Sequence, residues 1–322
     1  MTLRVRLICW NLHGAPITSR LRQPRMRAAA QRILDIEPLP DVVVLQEIFY
    51  PADADLLERT LGARYQRVGG IPTKPFPPWF LPFVDLAGLF MRIRKGGLLA
   101  FVSHKWDVLQ ARFEKFDAEE CEYRIWHGDG YADKGIQRLD LRHRPSRQTL
   151  VILNTHLQSG GAYAAVRSAQ VQQLATMASS VEPGVPVLIA GDFNVRPAAP
   201  LYDTMVEHLA WQDLTTQLPN CGTHFDRNAK HGRWRDYVFA RHDAAWRAEA
   251  EVDLICNWWR DMPYSDHHGI DARIRLSRRS GTDVSWRALA ARVLSGPSTR
   301  RAWLLAAGAV LLDWTHTCRR GG

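Results

Sequence analysis

Six short clusters of oxygen- and imidazole-bearing residues recur along the chain: Trp10-Asn11, Gln46-Glu47, Asn154-Thr155-His156-Leu157-Gln158, Gly191-Asp192-Phe193-Asn194, Asp236-Tyr237 and Ser265-Asp266-His267. Any one of them has an ordinary explanation. A lone Asp-x-Asn usually forms a turn or caps a helix, and a lone His on an apolar run is usually a satisfied core residue. All six, however, fall at the edge of an apolar, strand-like run, where loops gather catalytic groups. Asn11, Glu47 and Asp266 offer only hard oxygen ligands, which suits Mg²⁺, with Mn²⁺ as the alternative, rather than zinc. An imidazole such as His267, with an ordinary pKa near neutrality, suits a general base acting on water.

The runs that must hold these groups read as strands over Leu3–Leu12, Asp41–Gln46, Gly97–Ser103, Gly135–Leu141, Thr149–Leu157, Val185–Ala190, Arg235–Ala240 and Gly269–Leu276. Helical patterns cover Arg25–Ile36, Ala52–Leu61, Ala162–Ser180 and Pro200–His208. Strands mixed with helices in two halves predict an α/β sandwich of two packed sheets with helices outside. With 322 residues, the expected organisation is a catalytic domain over 1–276 and a tail over 277–322.

The net charge of +9 invites a nucleic-acid reading, but its distribution weakens it. From Ser277 onward there are eight Arg and two Asp, so the tail carries +6 and the rest of the chain +3. Five scattered cysteines without a C-x-x-C pair imply neither a zinc site nor a disulfide framework. The opening Met1–Trp10 reads as a first strand rather than a secretory leader, so a cytoplasmic location is expected.

Two segments depart from the sandwich pattern. Gly69–Met91 holds five Pro among Phe76, Trp79, Phe80, Phe83 and Phe90, too Pro-rich for a regular element and too apolar for a solvated loop. In the tail, Val284–Leu294 fits a basic amphipathic helix. Ala302–Trp314 is an apolar run shorter than the about 20 residues needed to span a bilayer, so it suits an interface or a packed core helix.

Taken in order, the six clusters resemble the endonuclease/exonuclease/phosphatase superfamily over roughly Leu7–Leu276. The resemblance implies a four-layered α/β sandwich (two packed mixed β-sheets flanked by helices) whose active site, at one end, hydrolyses a phosphoester with a divalent metal. It makes Glu47 the main direct ligand, with Asn11 supporting the metal or phosphate, and Asp266 completes the expected metal set. His267 becomes the base on the attacking water, Asp236 the partner of its other ring nitrogen, and Asp192 the group that orients the water or relays a proton. Asn194 and His156 would donate hydrogen bonds to the phosphoryl oxygens. One departure is visible: the family often carries Arg two places before the Asp-Tyr pair, where this chain has Trp234 and places Arg235 directly before Asp236.

Within that superfamily the neutral sphingomyelinases are the most similar group. Cys9-Trp10-Asn11-Leu12-His13-Gly14-Ala15-Pro16, then Arg25-Met26-Arg27, is similar to their opening, as is His127-Gly128-Asp129-Gly130 ahead of Lys134-Gly135. The resemblance implies that Lys134 binds the phosphate; its ordinary alternative is an exposed strand-edge lysine. Asn257-Trp258-Trp259 resembles the aromatic hairpin with which secreted bacterial sphingomyelinases touch membranes, although paired Trp more often pack in a core. The expected partner is a phospholipid substrate at a membrane surface, with peripheral membrane association and lipid metabolism as the setting. A nuclease or inositol-phosphate phosphatase is the second reading, and a catalytically silent membrane-binding module the third.

Overall fold

The structure, a computed structural model, describes residues 2–14, 21–69, 96–118, 132–218, 222–224, 234–243, 245–255 and 264–279, with 258–259 and 262–263 as backbone. Most of the Gly69–Met91 loop, the His127–Gly130 cluster, Asn257 and both tail segments lie outside the described residues.

Strands run in the order β1 (Thr2–Asn11), β2 (Val42–Gln46), β3 (Tyr65–Gly69), β4 (Leu99–Ser103), β5 (Trp106–Lys115), β6 (Gly135–His143) and β7 (Thr149–His156). They continue as β8 (Val187–Asp192), β9 (Trp211–Asp213), β10 (Asp236–Arg241), β11 (Trp246–Ile255), β12 (Trp258–Trp259), β13 (Met262–Pro263) and β14 (Gly269–Arg278). Helices α1 (Arg22–Leu34), α2 (Pro51–Leu61), α3 (Ala164–Ser179) and the short α4 (Pro200–Asp203) lie between them.

Two six-stranded mixed sheets form, ordered β11-β14-β1-β2-β4-β3 and β5-β6-β7-β8-β10-β9. Each has one parallel pair near its middle, β1 with β2 and β7 with β8, while every other pairing is antiparallel. A parallel pair requires a crossover, which α1 supplies in the first sheet and α3 in the second.

The strands that looked continuously apolar are buried on both faces, as a sheet covered on both sides demands. Val42 and Val44 face the layer between the sheets with Leu7, Cys9, Ile152 and Leu188, while Val43 and Leu45 face α1 and α2 with Ile8, Met26 and Leu57. On the second sheet, Val151, Leu153 and Ile189 turn outward onto Val171 and Leu174 of α3. These three apolar layers separate four structural layers, giving the four-layered α/β sandwich expected from the sequence.

The eight expected strands all form, and among the described residues there are six further strands, of which β12 and β13 make a separate two-stranded sheet. The Trp106–Lys115 strand is a sheet edge with mostly exposed residues, so it lacks the apolar run used to find strands. The Trp246–Ile255 strand alternates Ala248, Ala250 and Val252 with Glu249, Glu251 and Asp253, helix-favouring residues that locally mask its period of two. Tertiary pairing decides its state: Glu249 sits opposite Arg275, Glu251 opposite Arg273, and both are ion-paired.

Candidate active site

β1 and β2 are parallel, as are β7 and β8, and the Asn11–Asp192 hydrogen bond between the ends of β1 and β8 brings all four carboxyl ends to the same edge of the sandwich. Ligands of such sheets gather outside the carboxyl ends of the strands. Asn11 and Gln46 are the last residues of β1 and β2, and His156 and Asp192 close β7 and β8. The antiparallel neighbours enter at this edge: Asp236 opens β10 directly opposite Asp192, and Ser265-Asp266-His267 leads into β14. The six clusters thus converge although Asn11 and His267 lie near opposite ends of the described span of chain.

Asn11 joins the two sheets. Its Nδ2 donates to Glu47 Oε1 at 3.0 Å and to Asp192 Oδ2 at 3.1 Å, while its Oδ1 accepts the His13 amide at 2.9 Å. Asn11 thus steadies two carboxylates while its oxygen accepts from the turn that follows β1. Glu47 adopts a left-handed backbone (φ 62°), a conformation costly for a side chain with a Cβ and one that clusters at functional sites. Gly14 packs against its carbonyl: a Cβ there would lie 1.9 Å from Glu47 O, so only glycine fits.

His267 is held from several sides. Its Nδ1 lies 2.8 Å from Asp236 Oδ2, and its Nε2 points into the site, 3.7 Å from Asp192 Oδ2. Its amide donates to Ser265 Oγ at 3.1 Å, and its carbonyl accepts Trp10 Nε1 at 3.0 Å. Ser265 Oγ in turn donates to the Asn11 carbonyl at 2.6 Å. His156 Nε2 lies 3.5 Å from Asp192 Oδ2. Lys134, only 2 % exposed, donates from Nζ to the Leu157 carbonyl at 2.8 Å, so it is a buried residue of the site and not a strand-edge lysine in solvent. Asn194 donates from Nδ2 to the same carbonyl at 3.1 Å, and its Oδ1 accepts Arg235 Nη1 at 2.9 Å.

Three residues near these groups carry no signal at a strand edge in the sequence. Thr223 Oγ1 accepts the amides of Arg235 and Asp236 at 3.0 and 3.1 Å, and its carbonyl accepts His268 N at 2.7 Å. His224 pairs with His267 through a β-bridge, and their rings meet edge-on at 4.6 Å. His13 Nδ1 lies 3.6 Å from Asp266 Oδ1. The run Cys9–Pro16 contains His13, so resemblance brings it into view. Thr223-His224 stands alone between unremarkable residues, and only the folded chain brings it to the site.

The electrostatics describe a pocket with an excess of buried negative charge. Burial, then the Asp266 carboxylate, pushes Glu47 up to about 7. Burial works against a charged His267, yet Asp236, Asp192 and Asp266 outweigh it and push His267 up to about 10. Burial also raises Asp236, while the charges of His267, His156, Arg235 and Lys134 overcome burial and hold Asp192 at about 2. Burial and the neighbouring His267 charge keep His224 down at about 4.

A hard divalent cation fits this donor set. Glu47 Oε2 and Asp236 Oδ1 are buried without a hydrogen-bond partner, and an orphaned buried carboxylate oxygen is costly unless a cation meets it. Ligand-capable atoms of His224, Asp266 and His267, and of Asp192, Asp236 and His267, lie within 4.8 Å of one another. Glu47, through its unpartnered Oε2, and Asp266, beside His224 and His267, are carboxylates that could hold an ion.

The family described as Endonuclease/Exonuclease/phosphatase matches residues 8–267, a span that contains every one of these groups. The chain belongs to this family. The endonuclease/exonuclease/phosphatase fold follows from that membership. Among curated relatives, an inositol phosphosphingolipids phospholipase C of Schizosaccharomyces pombe is 24% identical over 201 residues, covering 60% of this chain and 42% of that protein. The chain thus matches less than half the length of that relative. Among solved structures, sphingomyelinase C from Streptomyces griseocarneus superposes with a TM-score of 0.61 at 20% identity, covering 84% of this chain and 99% of that one. D. rerio TDP2, crystallised with a single-strand DNA product, superposes with a TM-score of 0.62 at 19% identity, covering 84% and 98%. At these identities the structural likenesses speak for the fold.

Proposed function

We propose that the protein is a divalent-metal-dependent phosphodiesterase that cleaves a phospholipid headgroup in the manner of a sphingomyelinase or phospholipase C. The observation that carries the hydrolytic part is the buried His267–Asp236 pair, with His267 Nε2 turned toward Asp192 beside Glu47. His267 Nε2 takes the proton of the attacking water as its oxygen bonds to phosphorus. Asp236 fixes the tautomer by accepting from Nδ1 and stabilises the imidazolium that forms. Asp192, held at Oδ2 by Asn11, orients the water; His156 and Lys134 offset charge on the phosphoryl oxygens. The P–O bond to the lipid breaks opposite the incoming water. A Mg²⁺ or Mn²⁺ ion held by Glu47 and Asp266 would neutralise phosphoryl charge and bring His267 back toward the neutral form a base requires.

The lipid part rests on different support. The curated relative is a phospholipase C of phosphosphingolipids, and one structural neighbour is a sphingomyelinase. The Trp258–Trp259 strand pairs with Met262–Pro263 as a small hairpin just ahead, in sequence, of Ser265-Asp266-His267, and its sequence is apolar. With Gly69–Met91 and the basic tail, it gives a membrane surface more to hold than a nucleic acid would need. This reading expects a cytoplasmic enzyme that meets the membrane from its surface. No helix among the described residues is long and apolar enough to cross a membrane. The second reading is a nuclease, favoured by the likeness to TDP2 bound to a DNA product.

One panel separates the two: purified protein and Mg²⁺ with sphingomyelin vesicles, lysophospholipids, plasmid DNA, RNA and inositol phosphates. Release of a phosphorylated headgroup from vesicles is the expected result. Efficient DNA cleavage with no hydrolysis of any phospholipid would reject the lipid reading and leave the family untouched.

A further inference from the structure

The Asn194 amide can be oriented without ambiguity. Its partners are the Leu157 carbonyl, which only accepts, and the Arg235 guanidinium, which only donates, so the nitrogen faces the first and the oxygen the second. The oxygen therefore aims a cation, and one of the two N–H groups is already spent on Leu157. Asn194 has a left-handed backbone (φ 51°), which asparagine tolerates better than most residues, and its own amide donates to Asp192 Oδ1 at 2.9 Å. Arg235 is pinned at both ends of its backbone: its amide donates to Thr223 Oγ1 at 3.0 Å and its carbonyl accepts Phe193 N at 2.9 Å. Its charge is felt by Asp192 and by His224, so the guanidinium belongs to the pocket. It has five N–H donors, of which one is used on Asn194; among the described residues no carboxylate lies within ion-pair distance.

We propose that Arg235, aimed by Asn194, is a substrate-binding residue that grips a non-bridging oxygen of the phosphoryl group. The arrangement fits that task better than Asn194 alone. Leu157 O accepts both Asn194 Nδ2 and Lys134 Nζ, so a single carbonyl links two cations through one neutral amide. Both cations lie close enough to Asp192 to depress its pKa. A planar guanidinium matches the geometry of a phosphate, and holding one of its nitrogens in advance reduces the freedom lost on binding. A purely structural Arg235 would brace Asn194 and do nothing more. The inference rests on the phosphodiesterase reading but not on the lipid.

The test uses the Mg²⁺-loaded full chain and two probes, inorganic phosphate by calorimetric titration and the soluble diester bis(4-nitrophenyl) phosphate by initial rates. Arg235→Met should weaken phosphate binding about 10–100-fold, as expected for losing charge-assisted hydrogen bonds, and raise KM for the diester more than it lowers kcat. Arg235→Lys, which keeps the charge but loses the fork, should recover part of the affinity. A loss smaller than about fivefold in Arg235→Met, with an unchanged melting temperature, overturns the proposal. Should that variant not fold, the phosphate affinity of Arg235→Lys decides, wild-type affinity overturning it. If wild-type protein binds phosphate but leaves the diester intact, the phosphodiesterase reading fails while the titration still judges Arg235.

Discussion

His267 Nδ1 and Asp236 Oδ2 lie 2.8 Å apart, and the two residues belong to different sheets: Asp236 opens β10 of the second, and His267 leads into β14 of the first. The pair exists only when the two sheets are packed, so the geometry of the site and the central apolar layer stand or fall together. Asn11 makes a second cross-sheet tie, between Glu47 at the end of β2 and Asp192 at the end of β8.

If His267 is the base, His267→Ala loses about 10²–10⁴-fold in kcat with little change in KM. Asp236→Asn should also slow the reaction and shift its pH profile. A base works deprotonated, so the rate rises with pH through its pKa; removing the Asp236 charge, which raises that pKa, moves the rising limb to lower pH. An unchanged limb in Asp236→Asn would mean that another group titrates.

Glu47 is pushed up to about 7 by burial and Asp266 and has a buried oxygen without a partner, so its site should depend on a cation. Chelation abolishes turnover, Mg²⁺ restores it, and Glu47→Gln stays inactive while losing Mg²⁺ affinity in a titration. Full turnover in excess chelator would remove the metal from the mechanism.

Beneath the site, Gln46 Nε2 donates to Asn154 Oδ1 at 2.7 Å, and Asn154 Nδ2 donates to Gln137 Oε1 at 3.0 Å, all within the buried layer between the sheets. Asn154→Leu keeps the branched shape but removes both hydrogen bonds, leaving Gln137 Oε1 without its partner and Gln46 Nε2 with only the weak Cys9 Sγ acceptor at 3.6 Å. A loss of about 1–3 kcal/mol for each group left unsatisfied is expected in urea unfolding. A variant as stable as the parent would show that the layer rearranges freely.

His268 is held at about 4, mainly because burial disfavours its charged form. Between that value and its ordinary one near 6.5 the unfolded chain binds a proton that the folded chain refuses, so this contribution is present above 6.5 and is lost as pH falls toward 4. The stability of wild type relative to His268→Gln should therefore shrink between pH 7.5 and 4.5, at no more than about 1.4 kcal/mol per pH unit. A constant difference in denaturant melts at the two pH values contradicts it.

Trp79 and Phe80 lie in the apolar, Pro-rich loop and test the lipid reading from the sequence side. Each aromatic taken into a membrane contributes roughly 1.5–3 kcal/mol by area alone. Replacing both by Ser should reduce vesicle binding and vesicle hydrolysis together and spare a soluble diester, since Glu47 and His267 are untouched. Equal losses on both substrates would point to damage at the site itself.

The order of clusters from Asn11 to His267 already specified the family, the fold and a set of groups that meet at one edge of the sandwich, because each cluster borders an apolar run and strand ends are where such folds place their chemistry. Runs buried on both faces, such as Val42–Leu45, were legible for the same reason: continuous apolarity survives in the sequence. Edge and charged strands such as Trp106–Lys115 and Trp246–Ile255 were not, since their strand state comes from neighbours distant in the chain. Tertiary structure alone decided the partners. It turned the oxygen of Asn11 to the amide of His13, gave Asn194 to Arg235, set His224 against His267, and buried enough carboxylate beside His267 to raise its pKa. A side chain's type is written in the sequence, but its hydrogen-bond partner and its pKa depend on what the packed sheets place within a few ångströms of it.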